Sequence, residues 1–223
     1  MELPNTCLDM EERLHTHIDT LIERYPKLVV CEEQLQEAYE ILESAYTKGR
    51  KLLVCGNGGS ASDSEHIVGE LMKEFKLKRK IYADQAELMK SIDTEMGLIL
   101  AENLQGALPA ITLTGHSSLT TAFMNDSEPE LVFAQQVNGY GKQNDVFLGI
   151  STSGNSRNVI YAAITAKSKG LKVIGLTGMK DSKLKSLADV CICVPETETY
   201  KIQELHLPVY HCLCMMLEEH FFG

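Results

Sequence analysis

The sequence predicts an α/β fold in which helices cover both faces of a parallel β-sheet. Short runs of apolar residues alternate along the chain with segments whose apolar residues recur at helical spacing. Each short run is apolar at almost every position, which is typical of parallel strands, because both faces of such a sheet are buried. The strands are predicted at residues 51–55, 110–113, 145–150, 172–176 and 190–194. Right-handed crossovers should join them.

Helices are predicted before the first strand and between the others. Residues 8–24 and 31–48 carry apolar side chains every three or four positions, so two amphipathic helices precede the sheet. The segment between the first two strands is long, and one further helix is predicted within it over residues 85–104. A final helix is predicted over residues 199–222. The length of 223 residues suits one domain, with two domains as the alternative.

Composition and charge exclude several classes of function. The formal net charge is −10, and a field of that sign repels nucleic acid and anionic lipid. No apolar run approaches the ~20 residues that span a bilayer, and the first residues lack the regions of a signal peptide. The seven cysteines are odd in number and several lie in apolar runs, as reduced thiols do. We therefore expect a cytoplasmic protein with no nucleic-acid or membrane partner.

Two turns rich in glycine and serine follow predicted strands and precede predicted helices. The first covers residues 56–60 and the second covers residues 151–156. Glycine lets the backbone approach a ligand, and a helix that starts at the same place directs free N–H groups toward it. Hydroxyls, amides and a helix dipole can thus hold a phosphate in an acidic protein. Ordinary turn and capping chemistry is the alternative for either turn alone, but the two together favour an anion site.

Neither turn matches a fingerprint for nucleotide cofactors. The chain contains no G-x-G-x-x-G sequence and no G-x-x-x-x-G-K-[ST] sequence. Dinucleotide cofactors and P-loop chemistry are therefore not expected.

Two pairs of polar residues at helical spacing form a candidate catalytic or metal site. His66 and Glu70 are four residues apart on the predicted helix after the first turn, so they share one face. Gln203 and His211 lie on the final helix, with about 12 Å between their Cα atoms along its axis. Two imidazoles, one carboxylate and one amide oxygen suit Zn²⁺ or another divalent ion. A plain i,i+4 surface pair and a solvated helix face are the alternatives.

These turns and pairs together resemble the SIS (sugar isomerase) domain family, and within it the bacterial sedoheptulose-7-phosphate isomerases. The resemblance extends from about residue 50 to the end of the chain, and the set of motifs is specific although each motif alone is weak. The matching positions are residues 55–61, His66 with Glu70, Asn125 and Asp126, residues 149–156, residues 176–178, and residues 202–204 with His211.

The resemblance implies a fold, an assembly and a reaction. The implied fold is a flavodoxin-like three-layer sandwich with a five-stranded parallel sheet, preceded by two N-terminal helices. The implied assembly is a homotetramer with active sites at subunit interfaces. Residues 1–223 would form a single SIS domain, with N-terminal helices at 8–48 and an insert at about 76–108, where the heptose enzymes usually have a short link. The implied reaction is the aldose–ketose exchange of sedoheptulose 7-phosphate through an enediolate, without an organic cofactor.

The resemblance also implies roles for individual residues. The sugar chain is expected to contact Asn57, Gly58, Gly59, Asn125 and Asp126, with Ser60 and Gln203 as further substrate contacts. The phosphate is expected to contact Ser151, Thr152, Ser153 and Ser156. Some members bind zinc at the positions of His66, Glu70, Gln203 and His211. Glu70 and His211 are the expected proton-transfer pair.

Two other functions within this family stay open on the sequence alone. A non-catalytic SIS protein would sense a phosphosugar or act as an adaptor. Adaptors of this kind lack the acidic residue and the final histidine that this chain has as Glu70 and His211. An isomerase or lyase of amino-sugar phosphates would share the fold and the phosphate turn, and no single residue identifies a 2-amino group.

Overall fold

The computed structural model describes residues 7–223, with side chains from residue 13 onward. Its strands are β1 (Leu52–Cys55), β2 (Ala110–Thr112), β3 (Val146–Ile150), β4 (Lys172–Gly178) and β5 (Val190–Val194). Its helices are α1 (Cys7–Arg24), α2 (Glu32–Thr47), α3 (Gly59–Met72), α4 (Ala83–Ile92), α5 (Thr94–Asn103), α6 (Ser117–Asp126), α7 (Val132–Tyr140), α8 (Arg157–Ser168), α9 (Lys183–Leu187) and α10 (Thr199–Phe222). Among these described helices, none combines the length and apolar character needed to cross a bilayer.

The five strands form one parallel sheet in the order β2-β1-β3-β4-β5. This is the flavodoxin-like order, so the predicted fold class is confirmed. β1 and β3 are neighbours, and Cys55 at the end of β1 pairs in register with Gly149 near the end of β3. The turns that follow these two strands therefore lie side by side at the carboxyl edge of the sheet, where open α/β sheets bind ligands.

Alternate residues of each strand pack into two separate cores. Leu52 and Val54 of β1 lie in a core formed with α1, α2, α3 and α10. Leu53 and Cys55 point to the other face, into a core formed with α7, α8 and α9. This alternation follows from the two-residue period of a strand, and it places one helical layer on each side of the sheet. The three-layer arrangement predicted from the sequence is thus confirmed.

Residues 76–108, where the sequence predicts an insert, contain two helices, so the prediction of one helix over residues 85–104 is wrong. α4 ends at Ile92, and the backbone of the next residue, Asp93, is extended, with φ of −148°. The Asp93 side chain accepts a hydrogen bond from the N–H of Met96 at 2.7 Å and so caps a new helix, α5. Aspartate is a favoured N-cap residue, and here its local bond competes with continuation of the helix. The two helices keep large apolar side chains such as Leu88 and Ile92 exposed.

α6 is a helix that the sequence did not predict. Its ten residues include serine, threonine, asparagine and aspartate, which are weak helix formers, so no clear helical pattern marks it. Asn125 and Asp126 lie at its C-terminal end.

Candidate active site

The first glycine turn follows β1 and leads directly into α3. Gly58 has φ of 57°, a left-handed conformation that favours glycine. The N–H of Ser60 donates to the carbonyl of Asn57 at 3.0 Å, which begins the helix. Gly59 lies against α10, because a Cβ on Gly59 would be 2.6 Å from Nε2 of Gln203. The turn thus places Asn57 and Ser60 at the sheet edge and brings the Gln203 amide beside them.

The second turn lies between β3 and α8 and gathers hydroxyl groups. The hydroxyls of Ser151 and Ser156 are 3.0 Å apart. Gly154 has φ of 62°, and its N–H donates to the carbonyl of Ser151 at 2.9 Å. The carbonyl of Thr152 accepts the N–H of Gly178 at 3.1 Å, which anchors the turn to the end of β4. Within the described residues the Ser156 hydroxyl makes no capping bond, and the N–H of Val159 donates to Asn158 Oδ1, so the N–H groups of Arg157 and Asn158 are the ones that can donate to an anion.

A reciprocal pair of side-chain hydrogen bonds joins the two turns. Asn57 Nδ2 donates to Asn158 Oδ1 at 2.9 Å, and Asn158 Nδ2 donates to Asn57 Oδ1 at 2.9 Å. The pairing is possible because β1 and β3 are adjacent strands. Asn158 was not among the predicted site residues. Its place in the first turn of α8, directly after the serine turn, is the signal that could have identified it.

His66, Glu70 and His211 come together where α3 packs against α10. His66 Nε2 lies 3.1 Å from Glu70 Oε1. The rings of His66 and His211 are perpendicular, with centroids 5.0 Å apart. The ring of Phe75 covers one side of His211 at a centroid distance of 5.3 Å. A carboxylate and two imidazoles, predicted from two distant segments, therefore meet at one point.

Two buried polar atoms in this cluster have no hydrogen-bond partner among the described residues, namely Glu70 Oε2 and His211 Nε2. The closest cation to the Glu70 oxygen is Lys73 Nζ, at 3.6 Å. Burial lowers the pKa of His211 below its usual 6.5, and the nearby His66 lowers the pKa further. The His211 imidazole is therefore neutral at pH 7 and can accept a proton. Buried polar atoms without partners are costly, so these two atoms mark where a ligand would bind.

A hydrogen-bonded chain behind the cluster orients His66. Tyr210 Oη lies 3.0 Å from His66 Nδ1 and donates to Asp63 Oδ1 at 3.2 Å. A tyrosine hydroxyl has one proton, and Tyr210 donates it to Asp63, so the Tyr210 oxygen accepts a hydrogen bond from Nδ1 of His66. This leaves His66 Nε2 facing Glu70, where a proton or a cation would sit between them. Asp63 and Tyr210 were not predicted from the sequence, and their contact depends on how α10 packs.

The predicted metal ligands are only partly assembled. Within residues 13–223, no group of three or more histidine, cysteine, aspartate or glutamate side chains is arranged to hold a metal ion. His66, Glu70 and His211 are close to one another, and Gln203 lies about two helical turns away along α10, against the first glycine turn.

The other predicted substrate contacts differ in how near they lie to the cluster. Asn125 and Asp126 are exposed, and the Asn125 amide donates to Asp126 at 2.8 Å. Among the described residues, no side-chain hydrogen bond joins this pair to either turn. Ser153 is exposed in the second turn, and its hydroxyl accepts the N–H of Asn155 at 3.1 Å.

A comparison with protein families gives the class of protein. The family model described as the SIS domain matches residues 95–178, which run from α5 to the end of β4 and contain the whole serine turn. Together with the five-stranded sheet, this match defines an SIS-domain protein.

Similar proteins identify the family within this class. The chain is 38% identical over 191 residues to the phosphoheptose isomerase of Clostridium acetobutylicum, covering 86% of this chain and 84% of the relative. It is 37% identical over 221 residues to the phosphoheptose isomerase of Nitratiruptor sp., covering 99% and 95%. The solved structure of phosphoheptose isomerase from Neisseria gonorrhoeae matches with a TM-score of 0.70 at 32% identity, covering 93% of this chain and 98% of that one. The chain belongs to the phosphoheptose isomerase family, which confirms the resemblance found in the sequence.

Proposed function

We propose that this chain is a sugar-phosphate isomerase that converts sedoheptulose 7-phosphate into a heptose 7-phosphate through an enediolate. The observation that carries the proposal is the meeting of Glu70 and His211 beside α3, the helix that begins at the first glycine turn. The names of the similar proteins support the same substrate. The reaction needs no organic cofactor, because it only moves a proton between adjacent carbons.

The two turns supply the binding part of the site. The phosphate lies at the second turn, held by the hydroxyls and N–H groups of Ser151, Thr152, Ser153 and Ser156. The sugar chain lies toward the first turn and is contacted by Asn57, Gly58, Gly59, Ser60, Asn125, Asp126 and Gln203. Neutral hydrogen-bond donors suit this task, because they hold a phosphate without positively charged side chains. The chain has a net charge of −10, so its overall field does not attract an anion.

Glu70 and His211 move the proton. One of them removes the proton from the carbon next to the carbonyl, and the other protonates the carbonyl oxygen, which gives the enediol. A proton is then added to the former carbonyl carbon and another is removed from the hydroxyl on the neighbouring carbon, which gives the isomer. The lowered pKa of His211 keeps its imidazole neutral at pH 7, so it can accept a proton from an oxygen and return it.

Zinc is the metal that His66, Glu70, Gln203 and His211 would hold. The buried Glu70 Oε2 and His211 Nε2 atoms, which have no partner among the described residues, support a cation at this point. When bound, the ion would stabilise the negative oxygen of the enediolate. Purified protein should contain about one zinc per chain by elemental analysis, and His66→Ala should remove it. Protein that stays free of metal after incubation with zinc would contradict this assignment.

Assembly and location form a further part of the proposal. The chain is a single SIS domain with an insert at 76–108, and it forms a homotetramer with active sites at subunit interfaces. The exposed apolar side chains of Leu88, Ile92 and Met96 on the insert support burial against another copy. A cytoplasmic location is supported by the cysteines with described side chains, all of which are free thiols. Light scattering after gel filtration measures the oligomeric state.

The decisive experiment is an isomerase assay on matched variants. Glu70→Gln and His211→Ala should each lower kcat by about 100-fold or more, with unfolding curves close to that of the wild type. Glu37→Gln and His15→Ala change the same residue types at positions outside the site and should leave kcat unchanged. Wild-type rates in either site variant would refute the proposal. Binding of sedoheptulose 7-phosphate by the wild type without turnover would instead indicate a phosphosugar sensor.

A further inference from the structure

A cleft at the other end of the sheet combines positive charge with aromatic rings. It is formed by the start of β1, the base of the insert and the C-terminal residues, and its volume is about 660 Å³. Small-molecule sites commonly have volumes of about 300–1,000 Å³. Arg50 on its wall precedes β1, whereas the candidate active site lies beyond the carboxyl ends of the strands. Among the described residues, none of those proposed for the isomerase site lines the cleft, although Arg79 in its wall donates to the backbone carbonyl of Glu70 at 2.9 Å. Ligand binding in the cleft can therefore be measured separately from isomerase activity.

The charge in this cleft is not compensated. Arg50, Lys78 and Lys80 line it, and none of the three has a carboxylate partner among the described residues. Arg79 also lines it but is paired with Glu218. In the described part of the chain, the lining contains no aspartate or glutamate. Three unpaired cations in one concavity of a protein with net charge −10 create a local field that attracts an anion with several charges.

Two buried donors in the cleft wall have no acceptor. Tyr46 Oη and Arg50 Nε lack a hydrogen-bond partner among the described residues. Tyr46 is only 8% exposed, and its ring packs edge-on against Phe221 with centroids 6.1 Å apart. Burial raises the pKa of Tyr46, so its hydroxyl keeps the proton and remains a donor. Leaving such donors unsatisfied is costly, and an anionic oxygen in the cleft would supply the missing acceptor.

Aromatic rings are concentrated at the same place. The chain has only fourteen aromatic residues, eight tyrosines and six phenylalanines, and four of them line this cleft. The four are Tyr46, Tyr82, Phe221 and Phe222. Gly106 leaves room for one ring, because a Cβ there would lie 2.6 Å from Cε1 of Phe222. The Phe222 ring lies under the Arg79 guanidinium at 4.8 Å, whereas the Tyr82 ring is 76% exposed and can stack on a flat apolar group next to the cations.

We infer that this cleft binds a nucleotide, with its phosphates on Arg50, Lys78 and Lys80 and its base among the aromatic rings. Side chains, and not the backbone N–H groups of a glycine-rich turn, would hold the phosphates, so this site does not need a glycine-rich fingerprint. A phosphate chain supplies the two or more negative charges that the cations can neutralise, and a base supplies the flat ring. Neither part alone accounts for both the charge and the aromatic wall.

Isothermal titration calorimetry of the full-length chain with ADP, adenosine and pyrophosphate tests the inference. ADP should bind at least tenfold more tightly than adenosine or pyrophosphate. The double variant Lys78→Ala with Lys80→Ala should weaken ADP binding at least tenfold, and both lysines are exposed, so the fold should persist. The control is Lys142→Ala with Lys169→Ala, two lysines outside the cleft whose ammonium groups have no carboxylate partner among the described residues.

Three results would overturn the inference. The first is no binding of ADP by the wild type, and the second is pyrophosphate that binds as tightly as ADP, which would show a simple anion site. The third is equal loss of ADP affinity in the cleft variant and the control variant, which would show a non-specific charge effect. Ser151→Ala, which alters the serine turn, should leave ADP affinity unchanged, and loss of ADP binding there would place the nucleotide at the isomerase site instead.

Discussion

Replacing Glu218 by alanine should lower the free energy of unfolding by about 3–5 kcal/mol. The Glu218 side chain is 1% exposed and accepts three hydrogen bonds, from Phe75 N at 2.8 Å, Lys76 N at 2.7 Å and Arg79 Nε at 2.7 Å. Arg79 is also buried, at 2% exposure, so alanine at position 218 would leave a buried guanidinium without its carboxylate. This loss of stability is typical when one partner of a buried ion pair is removed. It exceeds the net stabilisation that the intact pair contributes, because the remaining charge stays buried without a partner.

The same substitution should also affect the proposed active site. Arg79 donates to the carbonyl of Glu70 at 2.9 Å and to the carbonyl of Leu71 at 2.8 Å, so it holds the C-terminal end of α3. Glu218 fixes Arg79 in this position, and without it the end of α3 that carries Glu70 loses a constraint. We therefore expect kcat of Glu218→Ala to fall even at temperatures where the variant remains folded.

Urea unfolding at one fixed protein concentration measures the stability change, since oligomerisation makes apparent stability depend on concentration. Glu87→Ala is the matched control. Glu87 pairs with Lys90 at 2.9 Å and its side chain is 74% exposed, and removal of such a surface pair costs at most about 1 kcal/mol. A loss below about 1 kcal/mol for Glu218→Ala, equal to that of the control, would refute the reasoning.

The contribution of Glu218 should also depend on pH with a defined sign. Burial alone raises the pKa of the Glu218 carboxyl, but the hydrogen bonds from Phe75 and Lys76 and the contact with Arg79 together hold its pKa below the usual 4.5. A lowered pKa in the folded state stabilises the fold above about pH 4.5, and this contribution is lost as the pH falls through the folded-state pKa. The stability difference between wild type and Glu218→Ala should therefore shrink in acid, and a difference that grows below pH 4 would contradict this assignment.

Three further predictions concern the site itself. Gly154→Ala should raise KM for the phosphosugar about tenfold or more, because φ of 62° strains an alanine and its Cβ would collide with Ser182. An unchanged KM in steady-state assays would count against the serine turn as the phosphate site. Tyr210→Phe should weaken zinc binding about 10–100-fold, because His66 loses its Nδ1 partner, and a chelator competition that returns wild-type affinity would contradict this role. Asn158→Ala should speed amide hydrogen exchange in residues 57–59, whereas unchanged exchange would mean that the reciprocal amide pair does not hold the first turn.

Local patterns predicted the sheet and the candidate site pair of His66 and Glu70, because their information lies within a few residues. The apolar runs located all five strands, and the four-residue spacing of His66 and Glu70 placed both on one helical face. The break at Asp93 was missed, because an aspartate inside an apolar helical pattern gives the same periodicity whether it faces solvent or caps a new helix. Contacts between distant segments could not be predicted. The pairing of Tyr210 with Asp63 depends on how α10 is rotated against α3, and no spacing within either helix encodes that rotation.

The two asparagine amides that join the turns already satisfy each other, and this has a consequence for sugar selection. The Asn57 amide keeps one N–H and one lone pair outside this pair, whereas a hydroxyl that breaks the pair only exchanges one set of hydrogen bonds for another. Such an exchange contributes little to affinity. It does penalise a molecule that separates the amides without offering both a donor and an acceptor in return, because it leaves polar groups unmatched. This edge of the pocket would therefore act mainly by rejecting poorly matched stereoisomers.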